Sequence, residues 1–291
     1  MRETDHGMAA GLTSPNAIVA ISSYVARGTV GNRAAAHAIE ALGHPVWSVP
    51  TLLLPWHPGH GTGTRIDWPA GTFEALLRDL ASSPFLDEVG AVLSGYLGSA
   101  NQAEAIATFV KVAKARHGAI YCCDPVIGNA RGRYVPEPVA NAIRDQLVPL
   151  ADVATPNRFE LAWLLGEAVP DTLLGVAHAA RMLGTRTVVV TSAAVAADAM
   201  TTLLVHDGTA FAATHERIDA PNAGTGDLTA GLFLARTLEG AGPETALHLA
   251  VCGALEAVAA EAEAGADELP LERIHDRLRE PKLAVRIERV S

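Results

Sequence analysis

Asn222-Ala-Gly-Thr-Gly-Asp-Leu-Thr-Ala-Gly231 leads directly into residues 232–238, an apolar stretch with the pattern of a helix. The glycines on either side of Thr225 let the backbone approach a ligand without an intervening Cβ. Free N–H groups and the positive end of the dipole at a helix start bind anions. Asp227 would repel a bound phosphate there unless it accepts a proton from an attacking hydroxyl. The alternative is that Asp227 only caps the helix.

The overall composition is that of an ordinary globular protein. The 291 residues are 49% hydrophobic and 19% charged, which is enough for a sizeable buried core. With 22 Lys and Arg against 32 Asp and Glu, the formal net charge is −10. That balance argues against a general surface for nucleic acid or for an anionic membrane. We therefore expect no nucleic-acid partner and no membrane partner.

Cysteine usage and the start of the chain favour a cytoplasmic protein. Cys122, Cys123 and Cys252 lack the spacing of metal ligands, and we interpret them as reduced packing residues. No apolar run is expected to reach the length that a membrane-spanning helix needs. Residues 1–15 are polar without a signal-peptide core, and we predict a flexible tail ahead of one domain over 16–291.

Short apolar or β-branched runs alternate with longer helical patterns along the chain. The predicted strands are 17–21, 46–49, 89–93, 119–123, 152–154, 187–191 and a hairpin of 201–206 with 209–214. The predicted helices are 32–42, 73–81, 103–116, 138–146, 158–165 and 173–183, and from Thr225 onward the chain is predicted to be nearly all helical. This alternation predicts a single α/β domain with a mostly parallel sheet and helices on both faces.

Polar residues stand where five of the predicted strands end. They are Ser22-Ser23, Ser94-Gly95, Asp124, Thr155-Pro156-Asn157 and Thr191-Ser192. Ligands of open α/β sheets bind beyond the carboxyl ends of the strands. We therefore expect the functional site at that edge.

Both common glycine motifs for nucleotides are missing from the sequence. The first strand leads into Ser23-Tyr-Val-Ala-Arg-Gly28 instead of Gly-x-Gly-x-x-Gly, and a P-loop is absent. Gly59-His-Gly-Thr-Gly63 lies in a long proline-containing loop, outside a strand–turn–helix unit. A nicotinamide oxidoreductase is therefore disfavoured, and a nucleotide must be held in another way.

Two carboxylates are predicted close to neighbouring strand ends. Asp124 precedes a rigid turn, and Glu160 lies three residues after Asn157. Two such carboxylates suit Mg²⁺, which also contacts substrate phosphates. The alternatives are a capping box for Asn157 and Glu160, and a simple turn role for Asp124. Together with the glycine-rich anion site, the acids favour metal-assisted phosphoryl transfer.

Gly224-Thr-Gly-Asp227 resembles the signature of the ribokinase-like kinases, which bind ATP without a P-loop. Within that superfamily the chain is most similar to the pyridoxal kinase family, from about residue 17 to the C-terminus. The resembling stretches are Ile21-Ser-Ser-Tyr-Val25 with Gly28-Thr-Val-Gly-Asn32, Leu42-Gly43 with Val46-Trp47, Leu93-Ser-Gly-Tyr-Leu-Gly-Ser-Ala100, Asp124-Pro-Val-Ile-Gly128, Tyr134-Val-Pro136 and Thr155-Pro-Asn-x-x-Glu160. The resemblance implies a single-domain three-layer sandwich of the ribokinase-like type.

The resemblance also implies ATP-dependent phosphorylation of the 5′-hydroxymethyl group of pyridoxal, with Asp227 as the base. The implied anion hole for the phosphoryl group is the backbone of Ala223, Gly224, Thr225 and Gly226. The implied contacts to the vitamin are Ser23, Val25, Pro58, Gly59, His60 and Asp227. The implied contacts to ATP are Asp124, Asn157, Glu160, Thr191, Ser192, Ile218, Pro221, Thr225 and Gly226. The implied metal ligands are Asp124, Thr155 and Glu160, for Mg²⁺ and for K⁺ or Na⁺ near Thr155. A homodimer is implied as well.

The chain departs from the family pattern at two places. Trp56-His-Pro-Gly-His60 replaces a polar Asn-His-Thr-Gln-Tyr loop over the substrate, so backbone groups, His57 or His60 must serve where Pro58 lacks a hydroxyl. Asn129 stands where some members have a metal-associated Asp. These changes affect the choice of vitamer and leave the type of reaction alone.

Two other kinds of function remain open on the sequence. One is a hydroxymethylpyrimidine or sugar kinase of the same superfamily, although a sugar site would need several early acids or amides for its hydroxyls. The other is a non-catalytic sensor of pyridoxal phosphate or ATP. Asp227 and the two candidate metal carboxylates argue against a sensor, because a pure binding protein needs no base.

Overall fold

A ten-stranded sheet organises residues 16–290, the part of the chain that the computed structural model describes. Its strands are β1 (Ala17–Arg27), β2 (Val46–Trp56), β3 (Ile66–Asp67), β4 (Val89–Ser94), β5 (Ile120–Cys123), β8 (Val153–Ala154), β9 (Thr187–Val195), β10 (Ala199–His206), β11 (Thr209–Glu216) and β12 (Arg286–Val290). β6 (Gly128–Asn129) and β7 (Gly132–Arg133) form a separate two-stranded ribbon. The order across the sheet is β12-β11-β10-β9-β8-β5-β4-β1-β2-β3. The predicted tail over 1–15 lies outside the described residues.

The centre of the sheet is parallel, as predicted. The six strands β2, β1, β4, β5, β8 and β9 pair in parallel, and the strands outside them pair antiparallel. The helices are α1 (Asn32–Ala41), α2 (Thr72–Ser82), α3 (Asn101–His117), α4 (Glu137–Ala142), α5 (Arg158–Leu165), α6 (Leu173–Met182), α7 (Thr225–Leu238), α8 (Pro243–Ala264) and α9 (His275–Arg279).

Helices cover both faces of the sheet, which confirms the three-layer sandwich. The core on one face contains Ile18 of β1 with residues of α1, α7 and α8. The core on the other face contains the next residue, Val19, with residues of α2 and α3. Successive side chains of a strand point to opposite faces, so a strand buried on both sides needs a continuous apolar run. Cys122 and Cys123 divide between the two cores in the same way and are free thiols, as expected.

The end of the chain corrects one prediction. Residues 286–290 were predicted as part of a nearly all-helical region, but they form β12 along the edge of β11. The sequence Arg-Ile-Glu-Arg-Val alternates weakly, and only Ile287 and Val290 pack against the apolar cores. The strand forms because β11 offers an open hydrogen-bonding edge, a signal that the segment itself does not carry.

Helix α8 corrects a second expectation. Its 22 residues, with a mean hydropathy of 1.3 over the most apolar window, are long and apolar enough to cross a membrane by length and composition. However, 61% of that window is buried inside the protein. Ala246, Leu247 and Ala250 belong to the same core as α1 and α7. This burial is typical of the central helix of a globular core.

Strands β1 and β2 are longer than predicted, and their extension shapes the site. Ile21 of β1 pairs with Ser94, the last residue of β4. Beyond that point β1 continues with β2 alone, as far as the pairing of Arg27 with Trp56. The two strands therefore project past the carboxyl edge of the sheet as a ribbon. A 3-10 turn, Pro58–His60, follows this ribbon directly, and we call residues 57–61 the flap.

Candidate active site

The predicted polar residues meet along one edge of the sheet. Backbone hydrogen bonds join the residues that follow β4, β5 and β8, and Thr191 within β9, to the neighbouring strand or to the segment that follows it. They run from Gly95 N to Ile21 O (2.9 Å), Asp124 N to Ser94 O (2.8 Å), Thr155 N to Cys123 O (3.0 Å) and Thr191 N to Pro156 O (3.0 Å). The result is a continuous row of polar groups at the carboxyl edge of the sheet.

The glycine-rich turn at the start of α7 has the geometry of an anion site. Gly224 is the N-cap with a left-handed φ of 87°, and no side chain caps the helix. The Thr225 hydroxyl donates to Asn222 O at 3.0 Å, so it is turned back into the loop. The uncapped first-turn N–H groups leave room for an anion at the positive end of the helix dipole.

Asp227 points toward the row of strand ends. A Cβ placed on Gly95 would lie 3.8 Å from Asp227 Oδ1, so the carboxylate sits beside the end of β4. Burial raises the pKa of Asp227 to about 6, while hydrogen bonds from the N–H groups of Gly31 and of Asp227 itself oppose that shift. The N-cap position belongs to Gly224, so the interpretation of Asp227 as the cap is wrong. Its environment is that of a carboxylate held ready to bind a proton.

Asp124 and Thr155 form the centre of the row. Asp124 is 7% exposed, and its pKa is raised well above the usual value by burial and then by the charges of Glu160 and Asp227. The Thr155 hydroxyl lies close enough to lower that pKa. Its buried oxygen nevertheless makes no hydrogen bond of good geometry within residues 16–290. No basic side chain acts on the pKa of Asp124 or Asp227, so the negative charge gathered here is uncompensated by the described protein.

Glu160 connects the start of α5 to the loop that follows Asp124 through hydrogen bonds. We call Asp124, Glu160 and Asp227 the acidic cluster. Its Oε2 accepts from Asn157 N at 2.8 Å, and Asn157 Oδ1 accepts from Glu160 N at 3.0 Å, which is the capping box considered above. Oε1 accepts from the N–H groups of Ile127 and Gly128 at 3.0 and 3.2 Å. Burial raises the pKa of Glu160 to about 7, against the effect of these donors. Because Asn157 Nδ2 also donates to Gly128 O at 2.7 Å, α5 is tied to the loop that follows Asp124.

The acidic cluster is not a complete metal cage. In the described part of the chain, no group of three or more His, Cys, Asp or Glu side chains converges closely enough to hold a metal ion. Asp124 and the unpartnered Thr155 oxygen fit a cation that brings further oxygen ligands with it, as Mg²⁺ does on a phosphate. Asn129 is engaged locally, since its Oδ1 accepts from Arg131 N at 2.8 Å. The metal roles of Asp124, Thr155 and Glu160 stay predictions.

Thr191 and Ser192 lie at a bulge, not at a strand end. Strand β9 was predicted to stop at residue 191, but it continues to Val195. Val190 pairs with Leu203 and Ala194 with Thr201, so three residues of β9 stand opposite one of β10. Ser192 takes a φ of 50° at this bulge. Such a distortion re-aims side chains, and here the two polar residues lie next to Asn157, which bridges to Thr191.

Two of the residues expected to contact the vitamin, Ser23 and Asp227, lie near Gly31. Ser23 is 7% exposed, and its Oγ would lie 2.5 Å from a Cβ on Gly31. The N–H of the same glycine lies close enough to the Asp227 carboxylate to lower its pKa. Gly31, with a φ of 59°, therefore brings the predicted ring contact and the predicted base together. Val25 is fully buried in β1, whereas Pro58, Gly59 and His60 are exposed in the flap.

The predicted adenine cover lies between β11 and α7. Ile218 and Pro221 belong to an irregular, largely exposed loop that leads to the anion turn. Its role stays a prediction.

Gly31 and Glu268 were missed in the sequence, and Gly95 was predicted only as part of a polar strand end. Gly31 was quoted only within a longer motif, although both glycines lie close to Asp227. Each lies directly after a strand end or before a helix, which is the signal that could have found them. Glu268 gave no such signal, because it acts through contacts with residues far away in the sequence.

The chain is similar to known kinases over most of its length. Residues 70–272 match the family described as phosphomethylpyrimidine kinase. Pyridoxal kinase PdxY of Corynebacterium diphtheriae is 31% identical over 281 residues, which cover 94% of this chain and 99% of that one. The pyridoxine/pyridoxal/pyridoxamine kinase of Bordetella avium is 37% identical over 263 residues, with coverages of 87% and 88%. Pyridoxal kinase from Leishmania donovani, solved with ADP and pyridoxamine, superposes with a TM-score of 0.87 at 27% identity, covering 95% of this chain and 100% of that one.

Proposed function

We propose that this chain, which belongs to the pyridoxal kinase family, transfers the γ-phosphate of ATP to the 5′-hydroxymethyl group of pyridoxal. The products are pyridoxal 5′-phosphate and ADP, a step that salvages vitamin B6. The ribokinase-like fold expected from the sequence is confirmed by the likeness to the Leishmania enzyme. The observation that carries the proposal is Asp227, set at the uncapped start of α7 and facing the polar row.

The chemistry follows from the placement of Asp227 and the anion turn. The Asp227 carboxylate accepts the proton of the 5′-hydroxyl while the hydroxyl oxygen forms a bond to the γ-phosphorus. The bond between the γ-phosphorus and the oxygen that leaves with ADP breaks in the same step. The backbone N–H groups of residues 223–226 are proposed to donate to the phosphoryl oxygens, on which charge spreads in the transition state, and the missing side-chain cap of α7 supports this role. Holding both reactants at one edge removes most of the entropy cost of their encounter.

Mg²⁺ is proposed to reach the site on the nucleotide phosphates, where it neutralises charge when bound. Asp124 supports this role, because its uncompensated buried carboxylate favours a nearby cation. The unpartnered Thr155 oxygen supports K⁺ or Na⁺ beside it. Glu160 uses both oxygens on backbone N–H groups, so we assign it chiefly to holding the Asp124 loop in place.

The vitamin is proposed to lie between Ser23 and the flap. Ser23 offers a buried hydroxyl for the pyridine ring, and Val25 contributes an apolar wall. The relative from Bordetella is named for pyridoxine, pyridoxal and pyridoxamine, so the other two vitamers are proposed as additional substrates. ATP is proposed to contact Asn157, Thr191, Ser192, Ile218 and Pro221 along the remaining edge.

One assay tests the function and its nearest rival. The matching family is described as phosphomethylpyrimidine kinase, which keeps hydroxymethylpyrimidine as the second candidate acceptor. ADP release is measured with pyridoxal, hydroxymethylpyrimidine or ribose, each with and without Mg²⁺. Pyridoxal should give the highest kcat/KM, and only with Mg²⁺. Faster turnover of hydroxymethylpyrimidine would reverse the assignment, and binding without ADP release would indicate a sensor.

We also propose that the protein is a cytoplasmic homodimer. Residues 16–291 of each chain are proposed to form one domain. Four large apolar side chains are exposed in this region: Leu53 and Trp56 of the ribbon, Ile66 of the edge strand and Trp68 just after it. Such a cluster supports a protein interface. The three free cysteines support a reducing compartment. Light scattering of the purified protein measures the oligomer directly.

A further inference from the structure

Glu268, in the segment after α8, contacts two segments that border the site and has no part in the chemistry above. Its Oε1 lies 2.7 Å from His60 Nε2 in the flap. Its Oε2 accepts from Thr29 N at 3.0 Å and lies 3.3 Å from Thr29 Oγ1. The Glu268 side chain is only 11% exposed. One largely buried carboxylate therefore joins the flap to the loop between β1 and α1.

The backbone around Thr29 is shaped to receive this carboxylate. Gly28 has a φ of +107°, and a Cβ there would lie 2.5 Å from Glu268 Oε1. Any other residue at position 28 would therefore displace the carboxylate. On the far side, the Thr29 carbonyl oxygen touches Gly224, where a Cβ would overlap it. By binding Thr29, Glu268 therefore holds in place the backbone that packs against Gly224 of the anion turn.

Besides the Glu268 contact, the flap is tied to the ribbon by the Trp56 indole, whose Nε1 donates to Gly61 O at 3.1 Å. The bonds within the flap run from His60 N to His57 O and from Gly61 N to Pro58 O, at 2.9 and 3.1 Å, and His57 Nδ1 accepts from Gly59 N. Pro58, Gly59 and His60 are exposed, so burial of apolar surface contributes little there. A carboxylate can only accept, so the His60 ring donates through Nε2. A charge-assisted hydrogen bond of this kind is among the stronger polar contacts.

A neighbouring ion pair provides a natural comparison. Arg27 and Asp267 lie 2.7 Å apart, but both side chains are more than half exposed. Exposed pairs of this type contribute little. The two acids are adjacent in the sequence, yet only Glu268 reaches the flap.

We propose that Glu268 is a positioning residue that latches the flap over the pyridoxal site through His60 and supports the anion turn through Thr29. The proposal rests on the proposed function for its kinetic consequences. Its structural part, the order of the flap, does not depend on any substrate.

The kinetic test separates the two contacts of Glu268. His60→Phe removes the flap contact alone and should raise KM for pyridoxal by about 5- to 20-fold, with kcat and KM for ATP within about twofold. Glu268→Leu removes both contacts and should also lower kcat by about tenfold, while Glu268→Gln, which keeps an acceptor for Thr29 N–H, should restore kcat. Adding His60→Phe to Glu268→Leu should leave KM for pyridoxal unchanged. Additive effects in the double variant, or equal effects on both substrates, would overturn the latch.

A second measurement needs no activity. Amide hydrogen exchange in the peptide over 57–64 should be about tenfold faster in His60→Phe and Glu268→Leu than in the wild type, and unchanged in Asp267→Asn. The His60→Phe variant leaves Glu268 and Thr29 intact. If its flap peptide exchanges at the wild-type rate, the proposal is rejected, even if Glu268→Leu fails to fold. Faster exchange together with no pyridoxal phosphorylation by the wild type would uphold the latch and reject the function.

Discussion

Gly224 lies so close to Thr29 that a Cβ on Gly224 would overlap the Thr29 carbonyl oxygen. This contact presses the start of α7 against the loop that follows β1. The same loop contains Gly31, whose N–H lies close enough to Asp227 to lower its pKa and whose Cα faces Ser23. The proposed base and the proposed ring contact, far apart in the sequence, are therefore held together by glycine backbone.

Gly224→Ala should damage both stability and turnover. The substitution adds a clash to a left-handed φ of 87°, which should cost about 2–4 kcal/mol of unfolding free energy and shift the anion turn. We expect kcat to fall at least about 100-fold. Gly240→Ala is the matched control, because its φ is 85° but its Cβ would meet nothing within 4 Å. Urea unfolding and ADP release measure the two effects, and equal losses in both variants would contradict the close-contact explanation.

Asp227→Ala should remove the base and little else. We expect kcat to fall by about 10²- to 10⁴-fold, the usual contribution of a positioned base, with KM for ATP nearly unchanged. Steady-state kinetics with both substrates varied provide the measurement. Near-normal turnover would reject Asp227 as the base.

Activity should rise with pH through the titration of Asp227. Its pKa is raised to about 6, so the carboxylate is protonated and inactive as a base below that value and ionised above it. The kcat/KM for pyridoxal should therefore increase from pH 5 to pH 7, and saturating Mg²⁺ with ATP should move the acidic limb to lower pH. A flat profile over this range would contradict the assignment.

Three carboxylates with raised pKa values should destabilise the ligand-free protein at neutral pH. The pKa of each of Asp124, Glu160 and Asp227 is raised, so the folded state retains protons that the unfolded state has lost. Stability from these groups is therefore greatest below pH 4 and declines as the pH rises toward 7. Asp124→Asn should raise the unfolding free energy at pH 7.5 while lowering activity.

A control variant should change stability in the opposite direction. Asp152 accepts from Tyr121 N at 2.8 Å and pairs with Lys114 at 2.7 Å, so Asp152→Asn should lower stability. Thermal unfolding without divalent cations compares the two. If Asp124→Asn destabilises the protein, the negative charge of the Asp124 carboxylate is balanced by other groups in the folded state, contrary to this prediction.

Ser23→Ala should weaken the binding of pyridoxal without affecting the binding of ATP. Its buried hydroxyl is proposed to bond to the pyridine ring, so its loss should raise KM for pyridoxal about tenfold and leave KM for ATP unchanged. An unchanged KM for pyridoxal would remove Ser23 from the site.

Local signals predicted most of the elements but not their full lengths. α5 has the predicted bounds, because Asn157 caps its start and Gly166 ends it, both within one stretch of sequence. β1 was predicted to stop before Ser22, where the sequence becomes polar. It continues to Arg27 because β2 remains paired with it beyond the sheet. Likewise, β12 exists because β11 has an open edge.

Contiguous residues were enough to predict the alternation of strands and helices, the polar strand ends and the glycine turn before Asp227. These features depend on side-chain period and backbone freedom, which are properties of neighbours along the chain. The meeting of Asp124 with Asp227, and of Glu268 with His60, came from strand order and packing. Contacts between distant residues depend on which strands lie side by side and on how the helices press against them, and no local pattern records either.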